Sequence, residues 1–228
     1  MTRRHTELLP EPLPPDPFIL VDRWMAEAWR QENPPPNPNA MILATSDAAG
    51  RASARVVLCK QIVADPGYLV FYTNYLSSKG RQLTQNPRAA AVIYWDSLHR
   101  QVRVEGSVVQ APAADSDAYF ASRPWQSRVG AWASQQSQPI GSRAAMGEAV
   151  RATAASLHAP PPELEQDLDI NIPRPPHWGG YRLWAESLEL WVEGDARLHD
   201  RARWTRVLTP RADGGFDVGP WAVTRLQP

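Results

Sequence analysis

Cysteine is nearly missing from this chain: one, Cys59, stands among 228 residues. A single thiol closes no internal disulfide. Its place in an apolar run reads as a small buried side chain, and a reducing cytoplasm is the expected setting. Long apolar runs are missing too. No stretch of about 18 apolar residues occurs, which excludes a spanning helix. The opening Met1-Thr2-Arg3-Arg4-His5 meets prolines rather than the apolar core of a secretory signal. Net charge is absent, since 24 basic residues face 24 acidic ones. That balance gives no electrostatic reason to expect nucleic acid or a membrane surface as partner. There is no Gly-x-Gly-x-x-Gly, no phosphate loop and no nucleophile elbow. His5, His99, His158, His177 and His199 cluster neither with one another nor with Cys59, so no metal site is expected.

Lysine is the most informative shortage. Of the 24 basic residues only Lys60 and Lys79 are lysines, in a chain rich in Arg, Ala and Pro. Such a bias suggests pressure towards GC-rich codons. Under it a lysine persists mainly where a compact ammonium cannot be exchanged for a guanidinium fork.

What is present is 43% apolar residues, enough for a real core in one domain. Residues 1–16 are polar and Pro-rich and read as a flexible N-terminal arm. Asp16-Pro17 opens a helix carrying Phe18, Leu20, Val21, Trp24, Met25 and Trp29 at helical spacing. Strands are expected over 41–45, 51–63, 68–73, 89–95 and 101–110, with turns at Asp47-Ala48-Ala49-Gly50 and Asp65-Pro66-Gly67. Residues 77–86 read as a short helix, 113–132 as a helix broken at Pro124, and 141–157 as an Ala-rich surface helix. Residues 158–177 read as an excursion. Strands return over 180–184, 188–193, 202–208 and 221–226. Successive strands joined by short turns argue a mainly β protein with flanking helices, an antiparallel barrel in which 17–228 form a single domain.

Five clusters carry chemistry. Ser77-Ser78-Lys79-Gly80-Arg81 caps a helix behind an apolar strand, and free N–H groups, helix dipole and cations converge there on a place for a phosphate. Arg55 and Lys60 interrupt an apolar strand at odd separation, so either a bulge lies between them or they serve two sites. Gln101, Arg103 and Glu105 share a strand face opposite Val102 and Val104, a pattern equally suited to a ligand wall, an interface or a solvent-facing surface. Tyr119, Arg123 and Ser127 recur every four residues and would stack on one side of a helix, donors suited to a phosphate monoester. Arg197, His199 and Arg201 would share a strand face, which calls for something anionic or aromatic nearby. Clusters of this kind, without nucleophile or metal, suit an enzyme that borrows its chemistry from an organic cofactor.

In this order the clusters resemble the pyridoxamine 5′-phosphate oxidase family. The residues that carry the likeness are Arg55-Val-Val-Leu-Cys-Lys60, Phe71-Tyr-Thr-Asn74, Arg100-Gln-Val-Arg103, Tyr119 through Ser127, Gly130-Ala-Trp132 with Gln136-Ser137, Trp178-Gly-Gly-Tyr-Arg182 and Arg197-Leu-His-Asp-Arg201. The resemblance implies an FMN-binding split β-barrel that is homodimeric, with FMN at the subunit interface. By position, Arg55, Lys60, Tyr72, Thr73, Ser78, Lys79, Gln101, Gln136, Ser137, Trp191 and Arg201 would contact FMN. Lys60, Tyr119, Arg123 and Ser127 would hold the substrate phosphate, and Arg197 and His199 would flank the pyridine ring as the catalytic pair. The implied reaction oxidises pyridoxamine or pyridoxine 5′-phosphate to pyridoxal 5′-phosphate, with O2 as acceptor and release of H2O2. Ser78 stands where the family commonly has Arg, and the arm is shorter than the family's closing segment. The alternatives are a related oxidase of a phenazine precursor, which would lose the phosphate clamp, and a non-catalytic flavin- or haem-binding barrel.

Overall fold

The computed structural model describes residues 7–164 and 168–228. Asp16 starts the first helix as its chemistry suggests: its Oδ1 accepts the Phe18 N–H at 2.9 Å, and α1 spans Phe18–Arg30. Phe18, Leu20, Val21, Trp24 and Ala28 are buried, whereas Trp29 in the last turn is half exposed. The strands are β1 (Ala40–Ser46), β2 (Ala52–Leu58), β3 (Gln61–Val63), β4 (Tyr68–Asn74), β5 (Arg88–Trp95), β6 (Arg100–Gln110), β7 (Trp178–Val192), β8 (Asp200–Thr205), β9 (Leu208–Pro210), β10 (Phe216–Val218) and β11 (Ala222–Leu226). The other helices are α2 (Ser78–Gln85), α3 (Ala113–Ala121), α4 (Trp125–Ala133) and α5 (Arg143–Ser156). The main sheet runs β11-β8-β7-β6-β5-β1-β2, with β4 joined to β3 and β7; β9 and β10 form a separate hairpin that the sequence did not signal.

Two local departures have physical causes. The strand expected over 51–63 breaks at Cys59-Lys60, where the Cys59 N–H goes to Asn39 O and the Lys60 N–H to Val70 O. The chain there leaves β1 as partner and takes β4, so Arg55 and Lys60 sit on different strand segments. The strands expected at 180–184 and 188–193 are one 15-residue strand, β7, whose Glu186 and Ser187 do not interrupt the ladder. The turn at 47–50 forms as read: Asp47 Oδ1 accepts from Ala49 N and Arg51 N, and Gly50 takes φ +77°.

The described residues fall into two compact units. The first comprises the described residues up to Phe71, Asn86–Val109 and Arg182–Pro228; the second comprises Tyr72–Gln85 and Gln110–Tyr181. In the first unit the core is built from Trp24, Met41, Leu43, Ile93, Val102, Val104, Leu188, Leu190, Ala202 and Trp204, each nearly or wholly excluded from solvent. The alternation on β6 buries Val102 and Val104 and leaves Gln101, Arg103 and Glu105 half-buried on the other face. In the second unit Phe120, Trp125, Val129, Ala154, Ile172 and Trp178 form the core.

Of the flexible arm expected over 1–16, residues 1–6 lie outside the described residues, and the described part makes specific contacts. Leu9 N donates to Asp200 Oδ2 at 2.8 Å, Trp204 Nε1 to Pro14 O at 2.9 Å, and Arg225 reaches Pro10 O and Glu11. Glu7 pairs with Arg100, whose guanidinium lies 5.0 Å over the Trp24 ring. Proline-rich sequence reads as loose, but its carbonyls are good acceptors for buried donors, and those donors tie it down. The excursion expected over 158–177 is free of helix and strand in its described residues, while 165–167 lie outside them.

Candidate active site

The second unit holds two clusters of the predicted residues. At the start of α2, Ser77 Oγ accepts the Gly80 N–H at 3.3 Å, capping the helix. Gly80 has to be glycine, since a Cβ there would lie 2.0 Å from the Tyr75 carbonyl oxygen. Lys79, only 8% exposed, points its Nζ at Thr73 Oγ1 (3.0 Å), Gln136 Oε1 (3.0 Å) and Ser77 Oγ (3.3 Å). Thr73 Oγ1 in turn donates to Gln136 Oε1 at 3.1 Å. A buried ammonium, hydroxyls and a helix N-terminus thus meet at one place. Ser78 opens the helix half-buried, Ser137 follows Gln136 in a left-handed conformation (φ 73°), and Arg81 turns back to the Leu76 carbonyl.

The second cluster forms around Trp178. The rings of Tyr72 and Tyr119 stack at 3.9 Å, Tyr72 and Trp178 at 5.5 Å, and the Arg123 guanidinium lies 4.7 Å over the Trp178 ring. Tyr119, Arg123 and Ser127 do not share one helix as their spacing suggested. Pro124, with ψ 140°, separates α3 from α4, and Ser127 is exposed on α4. Arg123 instead joins Tyr119 through Trp178. Burial holds the Arg123 guanidinium below the usual arginine range, with the Arg128 charge pushing the same way and Tyr119 opposing.

The first unit holds the rest. Arg55 on β2 donates to Leu43 O (3.1 Å), Thr45 Oγ1 (2.6 Å) and Ser53 Oγ, and burial lowers its pKa. Lys60 is exposed beside a groove of about 370 Å3 that Met25, Trp29, Cys59 and Ile62 also line. Trp191 pairs with Arg201 across β7 and β8, and its ring lies 4.6 Å from that of His199. Arg201 forks onto Glu189 Oε1 at 3.0 and 2.8 Å, and Arg103 meets Glu189 Oε2 at 3.3 Å. Gln101 pairs with Tyr94 across β5 and β6.

The shared strand face expected for Arg197, His199 and Arg201 does not exist. Arg197 lies in a tight turn with φ 65°, exposed, after Ala196 at φ 53°; only Arg201 belongs to β8. The turn is closed by Leu198 N–H to Asp195 O, and Gly194 N–H donates to His199 Nδ1 at 3.2 Å, leaving Nε2 as the nitrogen free to carry the proton.

Reading residues alone missed Trp178 and Glu189 as members of these clusters. Glu189 had a signal: one acid in the apolar run Leu188-Glu-Leu-Trp-Val192 needs a buried cation. Trp178 had none beyond its place in a motif, since its stacking partners come from β4 and α3. Among the described residues no group of three His, Cys, Asp or Glu could hold a metal ion, and no helix is long and apolar enough to cross a membrane.

Sheet connectivity and flanking helices define the split β-barrel class. A solved structure of PhzG from Burkholderia lata 383, in complex with tetrahydrophenazine-1-carboxylic acid, superposes with TM-score 0.76 at 29% identity over 94% of each chain. A pyridoxamine 5′-phosphate oxidase-related, FMN binding protein from Nostoc punctiforme PCC 73102 shares the fold, with TM-score 0.65 at 16% identity, over 93% of this chain and 97% of that one. The pattern of the pyridoxamine 5′-phosphate oxidase family matches residues 25–155, and that of the pyridoxine 5′-phosphate oxidase C-terminal dimerisation region matches 178–228. Pyridoxine/pyridoxamine 5′-phosphate oxidases of Paraburkholderia phymatum and Burkholderia mallei are each 48% identical over 214 residues, 94% of this chain and 90% of theirs. The chain belongs to the pyridoxamine 5′-phosphate oxidase family.

Proposed function

We propose that this protein is a homodimeric FMN-dependent oxidase that converts pyridoxamine 5′-phosphate, pyridoxine 5′-phosphate or both to pyridoxal 5′-phosphate, passing electrons to O2 and releasing H2O2. The observation that carries the reading is the pair of cationic clusters within one unit, Lys79 at the start of α2 and Arg123 on Trp178. The reaction needs two phosphate sites, one for the cofactor and one for the substrate. The relatives named above support the substrate class, and the dimerisation region supports the homodimer.

The residues present fit FMN. Lys79 and the α2 N-terminus, with Thr73, Ser78, Gln136 and Ser137, suit the ribityl phosphate. Arg55 and Lys60 add cations, Tyr72 adds a ring, and Gln101, Trp191 and Arg201 suit the polar edges of the isoalloxazine. When bound, FMN supplies the two-electron acceptor that no side chain provides.

The chain's own residues bind and orient. Lys60, Tyr119, Arg123 and Ser127 hold the substrate ester; the binding energy of this remote group is spent on aligning C4′. His199, tilted against Trp191 and anchored through Nδ1 by Gly194 N–H, presents Nε2 to the pyridine ring or to a water. Arg197 contributes a cation on an exposed turn that can reach the ring from outside. Glu189 holds Arg201 in a forked geometry, which preorganises that guanidinium.

A phenazine-precursor oxidase is the second reading, favoured by the PhzG likeness. Tyr119 and Arg123 gathered on Trp178 favour a phosphorylated substrate instead. Purified protein, FMN and pyridoxine 5′-phosphate mixed in air should yield aldehyde absorbance and peroxide in equal amounts; absence of both sinks the proposal.

A further inference from the structure

Arg128 belongs to none of the motifs above, yet it is the most heavily buried arginine of the second unit's helices. It is 7% exposed, one turn into α4, with its backbone N–H bonded to Pro124 O at 3.1 Å. Its Nε is buried without a hydrogen-bond partner among the described residues, and so is Nη1 of Arg123. Among the described residues no carboxylate lies within ion-pair distance of either guanidinium. The two guanidiniums flank the start of α4, Arg123 immediately before Pro124 and Arg128 four residues after it, and the Arg128 charge disfavours the charged form of Arg123. Between them stands the start of α4, whose N-cap position is Pro124; no side chain caps it, so the first N–H groups of that nine-residue helix are left to another acceptor.

A buried and a half-buried guanidinium, each with an orphaned donor, are costly in an apolar unit. Stability alone would replace Arg128 with an apolar residue of similar length. One kind of ligand relieves every element at once: an anion carrying about two charges and several acceptor oxygens, as a phosphate monoester does near neutral pH. A carboxylate has one charge and two oxygens and would leave donors unmet.

We propose that Arg128 is a second guanidinium of the substrate-phosphate pocket, beside Arg123 and the N-terminus of α4, and that it makes this enzyme selective for the dianionic ester. The inference rests on the oxidase reading but goes beyond it, because Arg128 is no member of the phosphate clamp set out for Lys60, Tyr119, Arg123 and Ser127. Arg128 acts here as a specificity residue; the chemistry at C4′ does not involve it.

The test is binding of pyridoxal 5′-phosphate and of pyridoxal, which lacks the phosphate, to the FMN-loaded protein, by absorbance titration, for wild type, Arg128→Met and Arg128→Lys. Arg128→Met keeps the length and apolar bulk, so the fold is retained and the thermal midpoint is unchanged or raised. Its affinity for pyridoxal 5′-phosphate should fall at least about tenfold while that for pyridoxal stays within about twofold. Arg128→Lys should recover only part of the loss, since a point charge replaces a fork. Inorganic phosphate should compete with pyridoxal 5′-phosphate about tenfold less well in Arg128→Met than in wild type. Equal weakening of both ligands, or of neither, overturns the role of Arg128 and leaves the oxidase reading standing. A wild type that binds pyridoxal as tightly as its phosphate ester overturns the oxidase reading itself.

Discussion

Replacing Lys79 by Met separates cofactor binding from folding. The ammonium makes three hydrogen bonds to neutral oxygens, at 3.0, 3.0 and 3.3 Å, in a site that leaves it 8% exposed. Removing it costs those bonds but also removes the desolvation of a buried charge, and the two nearly offset. The Thr73–Gln136 bond at 3.1 Å does not involve Nζ and keeps the pocket's wall in place. In the flavin-free protein the thermal midpoint should therefore move little. With FMN the balance changes: a charge-assisted bond to phosphate is worth about 2 kcal/mol, so Kd should rise roughly 30-fold. The stabilisation that saturating FMN confers should shrink by the same ~2 kcal/mol. Quenching of flavin fluorescence on titrating the apoprotein gives Kd, and thermal melts with and without FMN give the second quantity. A Kd within about threefold of wild type, or an apoprotein destabilised as much as the complex, would refute the reasoning.

Three further outcomes are expected. Glu189→Gln leaves Arg103 and Arg201 facing an uncharged amide at a 6% exposed position, and should cost about 3 kcal/mol in urea unfolding; a change under ~1 kcal/mol would show that the carboxylate is not what holds them. Gly194→Ala puts a Cβ 2.0 Å from Leu198 O, so the turn before His199 must shift, and kcat/KM should drop about 100-fold; unchanged kinetics would remove His199's placement from the mechanism. Cys59 is 3% exposed, and burial pushes its thiol from 9.0 up to about 12. The unfolded chain releases that proton above pH 9 and the folded chain keeps it until about 12, so stability falls as pH rises through this window. Arg206, whose pKa burial lowers to about 10, acts in the opposite sense only above that pH. Between pH 9 and 10 wild type should therefore lose about 1 kcal/mol more than Cys59→Ala, read by urea denaturation; parallel curves would place the thiol in contact with water.

Periodicity carried the elements whose cause is local. The Asp16-Pro17 helix start, the Asp47–Gly50 turn and the alternation of β6 rest on side chains within four residues of one another, and each appears where the residues place it. Motif spacing carried less. Tyr119, Arg123 and Ser127 imply one helix face only if the helix continues, and Pro124 ends it. Arg197, His199 and Arg201 imply a strand only if their backbone is extended, and Ala196 and Arg197 are left-handed. The looseness inferred for residues 1–16 rested on composition, which cannot see the Asp200 acceptor or the Trp204 and Arg225 donors that the far end of the chain brings to residues 9–14.

By itself the sequence determined the fold class and the family. Alternation, turn residues and the survival of only two lysines are properties of residues and their order. Which groups touch was decided by tertiary structure alone. Trp178 gathers Tyr72, Tyr119 and Arg123, Glu189 bridges Arg103 and Arg201, and Arg128 comes to rest near Arg123, through contacts between segments up to about a hundred residues apart. Such contacts depend on how strands register and where helices stop, and a charge's worth depends on the burial that results.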